Sequence, residues 1–188
     1  MDNSPKIEIP IQQELITAEL VELDWMLPQE TETVRALLNQ VILEGQTYPQ
    51  QQPVSEVEFA AYWLIKDAFV VRENKTNQIY GAFYLKPNFP GRCSHICNAG
   101  FIVQPEQRGK GIGKFMGEKM LEIATWRGYT AVMFNLVFET NIASLKLWQS
   151  LGFETIGRIP AAAHLKDGRL VDALMLYRKL SPSQNPPN

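Results

Sequence analysis

The chain has 188 residues, which is enough for one domain with a substantial hydrophobic core. Hydrophobic residues make up 45% of it and charged residues 20%, the composition of a soluble globular protein rather than of a disordered one. The formal net charge of -2 argues against binding to nucleic acid or to an anionic membrane over a broad basic surface.

The two ends of the chain differ from its middle. Residues 1–12 and the polar tail 181–188 are predicted to be flexible, and 13–180 to form a single domain without repeats or an interior linker. No apolar run approaches the roughly 20 residues that cross a bilayer. The first residues also lack the basic end and apolar stretch of a secretory signal. Together with only two cysteines, these features predict a cytoplasmic protein.

The first half of the domain predicts one strand, two helices and three further strands. Gly45 ends the first helix. The second opens with a capping box, in which Ser55 is followed three residues later by Glu58. The predicted strands are 15–23, 68–74, 78–87 and 96–103, and the predicted helices are 29–45 and 55–65.

The second half alternates helices with strands. Apolar residues at helical spacing predict a helix that starts at Ile112 and is closed by Gly128, and Asn141 caps a shorter helix that Gly152 ends. The strand between these helices is nearly all apolar, as expected of a strand buried on both faces. The predicted strands are 131–138, 153–160 and 170–180. The order β-α-α-β-β-β-α-β-α-β-β indicates the α/β class, with a mixed sheet covered by helices.

The run QRGKGIGKFM, residues 107–116, packs three glycines and three basic residues into one loop. It follows a predicted strand and opens a predicted helix, where unpaired N–H groups and the positive end of the helix dipole attract an anion. Glycine lets the backbone come close to that anion. A P-loop and a dinucleotide-binding fingerprint each require a different glycine spacing, so neither motif fits.

Read from Arg108 to Gly113, the run fits [QR]-x-x-G-x-[GA] and resembles the coenzyme A pyrophosphate loop of the GCN5-related N-acetyltransferases (GNAT). The segment NIASLKLWQSLGF resembles a second segment of that family, N-x-x-A-x-x-L-Y-x-x-L-G-F, and the order agrees over residues 96–154. The alternative is a plain glycine turn with solvated lysines. The resemblance implies the GNAT fold, a mixed and mostly antiparallel sheet of about seven strands, splayed between the fourth and fifth and flanked by about four helices. It also implies acetyl-CoA as the co-substrate.

The resemblance further implies how the chain binds coenzyme A. The strands 96–103 and 131–138 are the two that splay, and the pantetheine arm enters between them. Backbone groups hold the pantetheine amides and the pyrophosphate, and the next helix assists. The implied residues are Ile102 and Val103 for the pantetheine, Arg108, Gly109, Lys110, Gly111, Ile112 and Gly113 for the pyrophosphate, and Asn141 and Ser144 for the cofactor arm.

The segments EGQTYPQ, GAFYLKPN, RCSHICNAGF and FNLVFETNIAS are similar to those of fungal N-acetyltransferases that act on the proline analogue L-azetidine-2-carboxylate, over about residues 42–160. This similarity implies a small amino or imino acid as the acceptor. Asn98 and Asn135 match the asparagines that hold its carboxylate and ring nitrogen, which makes them the candidate catalytic and substrate-binding residues. The alternative is that each bonds a neighbouring loop or a β-bulge. Thr47 and Tyr48 line the substrate mouth or belong to a surface loop.

Trp148 departs from the family pattern, in which many members have a tyrosine that serves as general acid. An indole N–H is a donor only, so the leaving thiolate would take its proton from solvent or substrate, and Trp148 is alternatively a core residue. No carboxylate stands out as the general base. The open candidates, beside a water chain, are Glu30, Glu32, Glu44 and Glu139.

Cys93, His95 and Cys97 would point to one side of an extended segment, which raises a metal site. Zinc needs a fourth ligand or an open position, and the sequence offers no second cluster, so no metal is expected. Two other functions stay open: acetyl transfer to a polyamine, an antibiotic or a peptide N-terminus, and a non-catalytic coenzyme A-binding sensor. The expected partner is a small-molecule amine, without nucleic acid or membrane, and a homodimer is the assembly considered.

Overall fold

The computed structural model describes residues 7–180, so the predictions for residues 1–6 and for the tail 181–188 lie outside the described residues. This part of the chain builds an eight-stranded sheet and four α-helices. The strands are β1 (Ile11–Glu14), β2 (Leu20–Trp25), β3 (Asp67–Glu73), β4 (Ile79–Pro87), β5 (Ile96–Val103), β6 (Ala131–Phe138), β7 (Glu154–His164) and β8 (Leu170–Lys179). The helices are α1 (Thr31–Glu44), α2 (Glu56–Trp63), α3 (Ile112–Trp126) and α4 (Ile142–Ser150).

The beginning of the chain differs from the prediction. The segment predicted as one strand, 15–23, contains a turn in which the Ala18 N–H donates to the Leu15 carbonyl at 2.9 Å. Ala18 has a φ of 61°, so the chain reverses there and β1 pairs antiparallel with β2. Ile11 and Gln12, predicted to belong to a flexible end, therefore lie in an edge strand. The sheet has eight strands because of this hairpin, one more than the sequence indicates.

The strand order is β1-β2-β3-β4-β5-β6-β8-β7. β5 and β6 run parallel, and the other neighbouring strands of this sheet run antiparallel. β5 and β6 pair only at their first residues, Ile96 with Ala131 and Cys97 with Val132, and diverge beyond them. These are the fourth and fifth predicted strands. The predicted splay and the mixed, mostly antiparallel α/β class are confirmed.

Helices cover both faces of the sheet. α1 and α2 bury Leu38, Phe59 and Trp63 on one face, and α3 buries Met116 and Met120 on the other. Strand residues alternate between the two clusters, as the pleat requires. Within residues 7–180, no helix is long and apolar enough to span a bilayer.

β6 is not buried on both faces along its whole length, contrary to the prediction. Ala131 and Val132 are buried, but Asn135 and Leu136 are exposed. The pairing with β8 shifts its register between Phe134 and Val137, which is a β-bulge, and β5 no longer lies alongside at this point. The bulge leaves the middle of β6 open toward the gap between the two strands.

Candidate active site

The divergence of β5 and β6 opens a cavity of about 400 Å³, here called the gap cavity. Its lining includes Tyr84 from the cluster beneath α1 and α2, and Phe134 and Trp148 from the cluster beneath α3 and α4. Both faces of the sheet thus contribute to one cavity. The gap cavity passes through the sheet.

A second cavity of about 490 Å³ follows the glycine loop and is here called the loop groove. The two cavities are continuous, because they share several lining residues at the point where the strands part. The shared residues are Thr47, Phe101, Asn141, Ser144 and Trp148.

The glycine loop places unpaired backbone amides on the loop groove. Gly109 and Gly111 have φ of 77° and 94°, a conformation that side chains rarely adopt, and Gly111 is the N-cap of α3. A Cβ at either glycine would meet no atom within 4 Å. The open side of the loop and the start of a 15-residue helix therefore form a site suited to an anion.

The basic side chains of the loop are tethered by their neighbours. Arg108 donates to Glu44 at 2.9 Å, and the Lys110 ammonium donates to Gln107 at 2.7 Å. The predicted cofactor residues that line the loop groove are Val103, Arg108, Gly109, Gly111, Gly113, Asn141 and Ser144. The side chains of Ile102 and Ile112 are buried in the core, and Lys110 does not line the groove, so these three would act through their backbone groups alone.

Asn98 and Asn135 come together across the gap through a third asparagine, Asn88. Asn98 Nδ2 donates to Asn88 Oδ1 at 3.0 Å, and Asn135 Nδ2 donates to the same oxygen at 2.6 Å. Asn88 Nδ2 donates in return to Asn135 Oδ1 at 2.8 Å. All three side chains line the gap cavity. This asparagine network joins the residue after β4 to β6 near the start of β5.

Lys86 is the charged side chain of the gap cavity, whose described lining contains no other lysine, arginine, aspartate or glutamate. It lies directly opposite Asn98 in the β4–β5 register. Its ammonium donates to the Tyr62 carbonyl at 2.8 Å and lies 4.5 Å from the ring centroids of both Tyr62 and Tyr84. Burial lowers the pKa of Lys86 from its ordinary value.

Gly100 makes room for the tyrosine that forms the floor of the gap cavity. It pairs with Tyr84 across β4 and β5, and the Tyr84 ring lies over its Cα. The Tyr84 hydroxyl donates to Tyr62 at 3.2 Å, and its ring meets Trp63 edge-on at 4.9 Å. Burial raises the pKa of Tyr62 and Tyr84, so both hydroxyls stay protonated near neutral pH.

Thr47 and Tyr48 line the gap cavity, as one of the two predictions for them requires. The Tyr48 hydroxyl donates to the Phe101 carbonyl at 3.2 Å and joins the loop after α1 to β5. Burial raises the pKa of Tyr48 well above its ordinary value. The Thr47 hydroxyl is buried and finds no hydrogen-bond partner among residues 7–180.

Trp148 is a core residue. It is 4% exposed, and its ring stands 4.8 Å from that of Phe101 and 4.5 Å from that of Phe134. Its N–H donates to Ser144 Oγ at 2.8 Å. The indole thus bridges the two splayed strands and holds the Ser144 hydroxyl at the junction of the two cavities.

The four candidate bases are all engaged elsewhere, and none lines the gap cavity. Each is paired with an arginine at 2.6–2.9 Å. The pairs are Glu30 with Arg72, Glu32 with Arg35, Glu44 with Arg108 and Glu139 with Arg158.

The segment around Cys93 is not extended, contrary to the geometry assumed for a metal site. Cys93 ends a 3-10 turn and is exposed, and β5 begins only at Ile96. Cys97 is buried, its thiol donates to the Ala131 carbonyl at 3.4 Å, and burial raises its pKa to about 12. Among the described residues, no group of three or more His, Cys, Asp and Glu side chains is placed to hold a metal ion.

Asn88 and Lys86 were not predicted from the sequence. Both belong to GAFYLKPN, a segment that carries the fungal resemblance, but their position opposite Asn98 depends on the strand register. Alternation along β4 offers a partial signal, since Tyr84 and Lys86 are two residues apart and share a face, and Asn88 follows directly after the end of the strand.

Residues 36–153 match the Acetyltransferase (GNAT) family. The chain therefore belongs to the GNAT family.

Individual proteins agree with this assignment. The chain is 52% identical over 88 residues to N-acetyltransferase aca1 of Schizosaccharomyces pombe, an alignment that covers 47% of this chain and 42% of aca1. It is 32% identical over 108 residues to the L-methionine sulfoximine/L-methionine sulfone acetyltransferase of Pseudomonas aeruginosa, covering 57% of this chain and 59% of that enzyme. The chain thus spans about half the length of these two relatives. A solved GCN5-related N-acetyltransferase from Kribbella flavida superposes with a TM-score of 0.81 at 27% identity, covering 85% of this chain and 98% of that one.

Proposed function

We propose that the chain is an acetyl-CoA-dependent N-acetyltransferase whose acceptor is a small amino or imino acid, such as a proline analogue. The acetyl group moves by direct attack of the neutral amine. The observation that carries this proposal is the passage through the sheet, where an anion-binding helix start on the loop groove meets a polar cavity between β5 and β6.

The loop groove suits coenzyme A. The Arg108 N–H already donates to the Pro105 carbonyl at 3.3 Å, so the amides from Gly109 to Gly113 would hold the pyrophosphate at the start of α3, where the helix dipole and unpaired N–H groups favour negative charge. On the side that faces β6, β5 has no paired strand beyond Cys97, so its backbone groups toward Val103 on that side would meet the pantetheine amides. The buried Thr47 hydroxyl, without a partner in the described residues, would gain one from a ligand at the junction. When bound, acetyl-CoA supplies the thioester carbonyl.

The gap cavity suits a small polar acceptor. The asparagine network presents amide groups that both donate and accept, which matches an amine beside a carboxylate. The P. aeruginosa relative is named for acetylation of amino-acid derivatives, which agrees with an acceptor of this class. In this proposal Asn98 and Asn135 orient the acceptor and Asn88 holds both of them in place.

Residues 7–180 provide no carboxylate base within the gap cavity. Its three tyrosines keep their protons, because burial raises their pKa values. The acceptor would therefore lose its proton to water and react as the free amine. Ser144 accepts the Trp148 N–H at 2.8 Å, which leaves its own O–H free to donate to the leaving sulfur.

The alternatives place different demands on the same cavity. A polyamine acceptor calls for acidic side chains, which the described lining of the gap cavity does not contain. A coenzyme A-binding sensor calls for no turnover at all.

The test is thiol release from acetyl-CoA by the full chain across a panel of cyclic imino acids, amino acids, polyamines and peptides. We expect turnover with amino or imino acids. Turnover confined to polyamines or peptides would contradict the acceptor class, and no thiol release with any amine would contradict the enzyme.

Two alanine variants test the acceptor site itself. Asn98→Ala and Asn135→Ala should each lower kcat/KM for the acceptor by roughly 10- to 150-fold, as expected for a hydrogen bond to a charged group. The affinity for acetyl-CoA should stay the same. Asn74→Ala, at the exposed turn after β3, is the matched control and should behave as the unchanged chain. A loss of stability with unchanged kcat/KM per folded molecule would make the asparagines structural.

A further inference from the structure

Lys86 is a cation that has no anionic partner within the part of the chain that the structure describes. None of the ion pairs formed within residues 7–180 includes it, although eight of the chain's other basic side chains are paired within 4 Å. It is half-buried, and the described lining of the gap cavity contains no carboxylate. A partly desolvated ammonium without a counter-charge is costly unless something anionic joins it.

The neighbours of Lys86 hold its ammonium in one position but supply no negative charge to balance it. One of its three N–H groups donates to the Tyr62 carbonyl, and the faces of Tyr62 and Tyr84 hold the charge by cation–π contact at 4.5 Å. The remaining N–H groups are available to a ligand. An ordered cation in a polar cavity is preorganised for an anion, since little side-chain entropy remains to be lost.

The register places this cation beside the predicted acceptor-binding side chain. Lys86 and Asn98 are direct partners across β4 and β5, so their side chains leave the same face of the sheet about 5 Å apart at Cβ. Asn88 lies two residues beyond Lys86, directly after the end of β4, and accepts a hydrogen bond from Asn98. The charge, the amide and the network therefore converge on one corner of the gap cavity.

We propose that Lys86 is the specificity-determining residue that binds the acceptor's carboxylate, together with Asn98, and thereby selects carboxylate-bearing amines. This inference rests on the proposed function and deepens it. The free carboxylate gains a charge-assisted contact that an ester, an amide or a polyamine does not, and the partner group remains uncompensated when such a compound occupies the cavity.

The test compares acceptors that differ only in this charge. L-azetidine-2-carboxylate and L-methionine sulfoximine are each assayed beside their carboxamides, with the full chain, Lys86→Met and Lys86→Arg. Methionine keeps the aliphatic stem that packs between the tyrosines, and arginine keeps the charge. Lys75→Met, at an exposed turn position, is the matched control.

We expect the unchanged chain to prefer the carboxylate over the carboxamide by about 10- to 150-fold in kcat/KM. Lys86→Met should remove that preference mainly by raising KM for the carboxylate, and it should leave kcat/KM for the carboxamide within about threefold of the unchanged chain. Lys86→Arg keeps the charge and should retain part of the preference. Equal losses for both acceptors, or a carboxamide used as well as the carboxylate, would overturn the proposal.

The failure of the proposed function would look different. If no amine releases thiol, calorimetric titration with the same two amino acids still reads the role of Lys86. If either amino acid binds and Lys86→Met weakens that binding at least tenfold, the proposed role of Lys86 is supported. Absent binding, or binding equal in both proteins, overturns it. Thiol release by carboxylate-free amines alone would overturn the role of Lys86 while leaving the acetyltransferase intact.

Discussion

Replacing Gly100 with alanine should displace Tyr84 and weaken both the fold and the gap cavity. The added methyl group would lie 2.8 Å from Cζ and 2.9 Å from the hydroxyl oxygen of Tyr84. Nonbonded carbons normally stay about 3.5–4.0 Å apart, so the ring must retreat by roughly 1 Å. The Tyr62 hydroxyl at 3.2 Å, Trp63 at 4.9 Å and Lys86 at 4.5 Å all oppose that movement.

The expected loss follows from these contacts. Overpacking of a core site costs about 1–3 kcal/mol, and loss of the hydrogen bond from Tyr84 to Tyr62 adds about 0.5–1.5 kcal/mol. In a domain of this size each kcal/mol lowers Tm by about 2–4 °C, so Gly100→Ala should lower Tm by roughly 3–18 °C. KM for the acceptor should rise because Lys86 loses one of its two aromatic faces, whereas acetyl-CoA affinity should hold.

Thermal unfolding followed by circular dichroism measures the first effect, and thiol release with varied acceptor measures the second. Gly157→Ala is the matched control. There the obstructing atom is the terminal methyl of Met175, which swings aside easily, so the cost should stay below about 1 kcal/mol. Equal losses in both variants, or an unchanged Tm for Gly100→Ala, would refute the reasoning.

Four further predictions concern the loop, the core, the proton path and the thiols. Gly111→Val forces a branched side chain into a φ of 94° and should weaken acetyl-CoA binding at least about tenfold by calorimetry; unchanged affinity in a folded variant would contradict the anion site. Trp148→Phe removes the N–H bond to Ser144 and should cost about 1 kcal/mol in urea unfolding while kcat stays within about threefold; a hundredfold fall in kcat at intact cofactor affinity would show that the indole acts in catalysis. Because no carboxylate among residues 7–180 lines the gap cavity, kcat/KM should rise with pH in step with deprotonation of the acceptor amine, and a plateau set by a group of lower pKa that persists in Lys86→Met would reveal a base on the chain. A thiol reagent at pH 8 should label the exposed Cys93 quickly and reach Cys97, whose pKa burial raises to about 12, only after unfolding; two fast thiols would be inconsistent with this structure.

Local chemistry made much of the fold predictable. The capping box at the start of α2 forms as read, with Ser55 and Glu58 bonding each other's backbone N–H groups. The hairpin between β1 and β2 was missed because its turn contains Ile16, Thr17 and Ala18, none of them a usual turn residue, and the alternating pattern continues across it.

The site was only half predictable for a different reason. Asn98 and Asn135 stand out because a polar side chain inside an apolar strand needs an explanation. Lys86 and Asn88 lie near a strand end, where polar residues are common. Only the pairing of β4 with β5 brings them next to Asn98. A slip of one residue in the β4–β5 register would turn Lys86 away from Asn98, and no local pattern specifies that register.

The parting of β5 from β6 also divides the sheet mechanically. Two residue pairs, Ile96 with Ala131 and Cys97 with Val132, are the hydrogen-bonded seam between a five-stranded and a three-stranded half. Beyond that seam each half has an internal edge that the other half does not pair with, the kind of edge that proteins usually hide from other chains. Here the edges face each other across the gap cavity, whose lining includes Phe101, Phe134 and Trp148. A ligand whose amides form hydrogen bonds with the edge of β5 would pair with it as an added strand does. Amide hydrogen exchange along the second half of β5 should therefore slow when the ligand is bound.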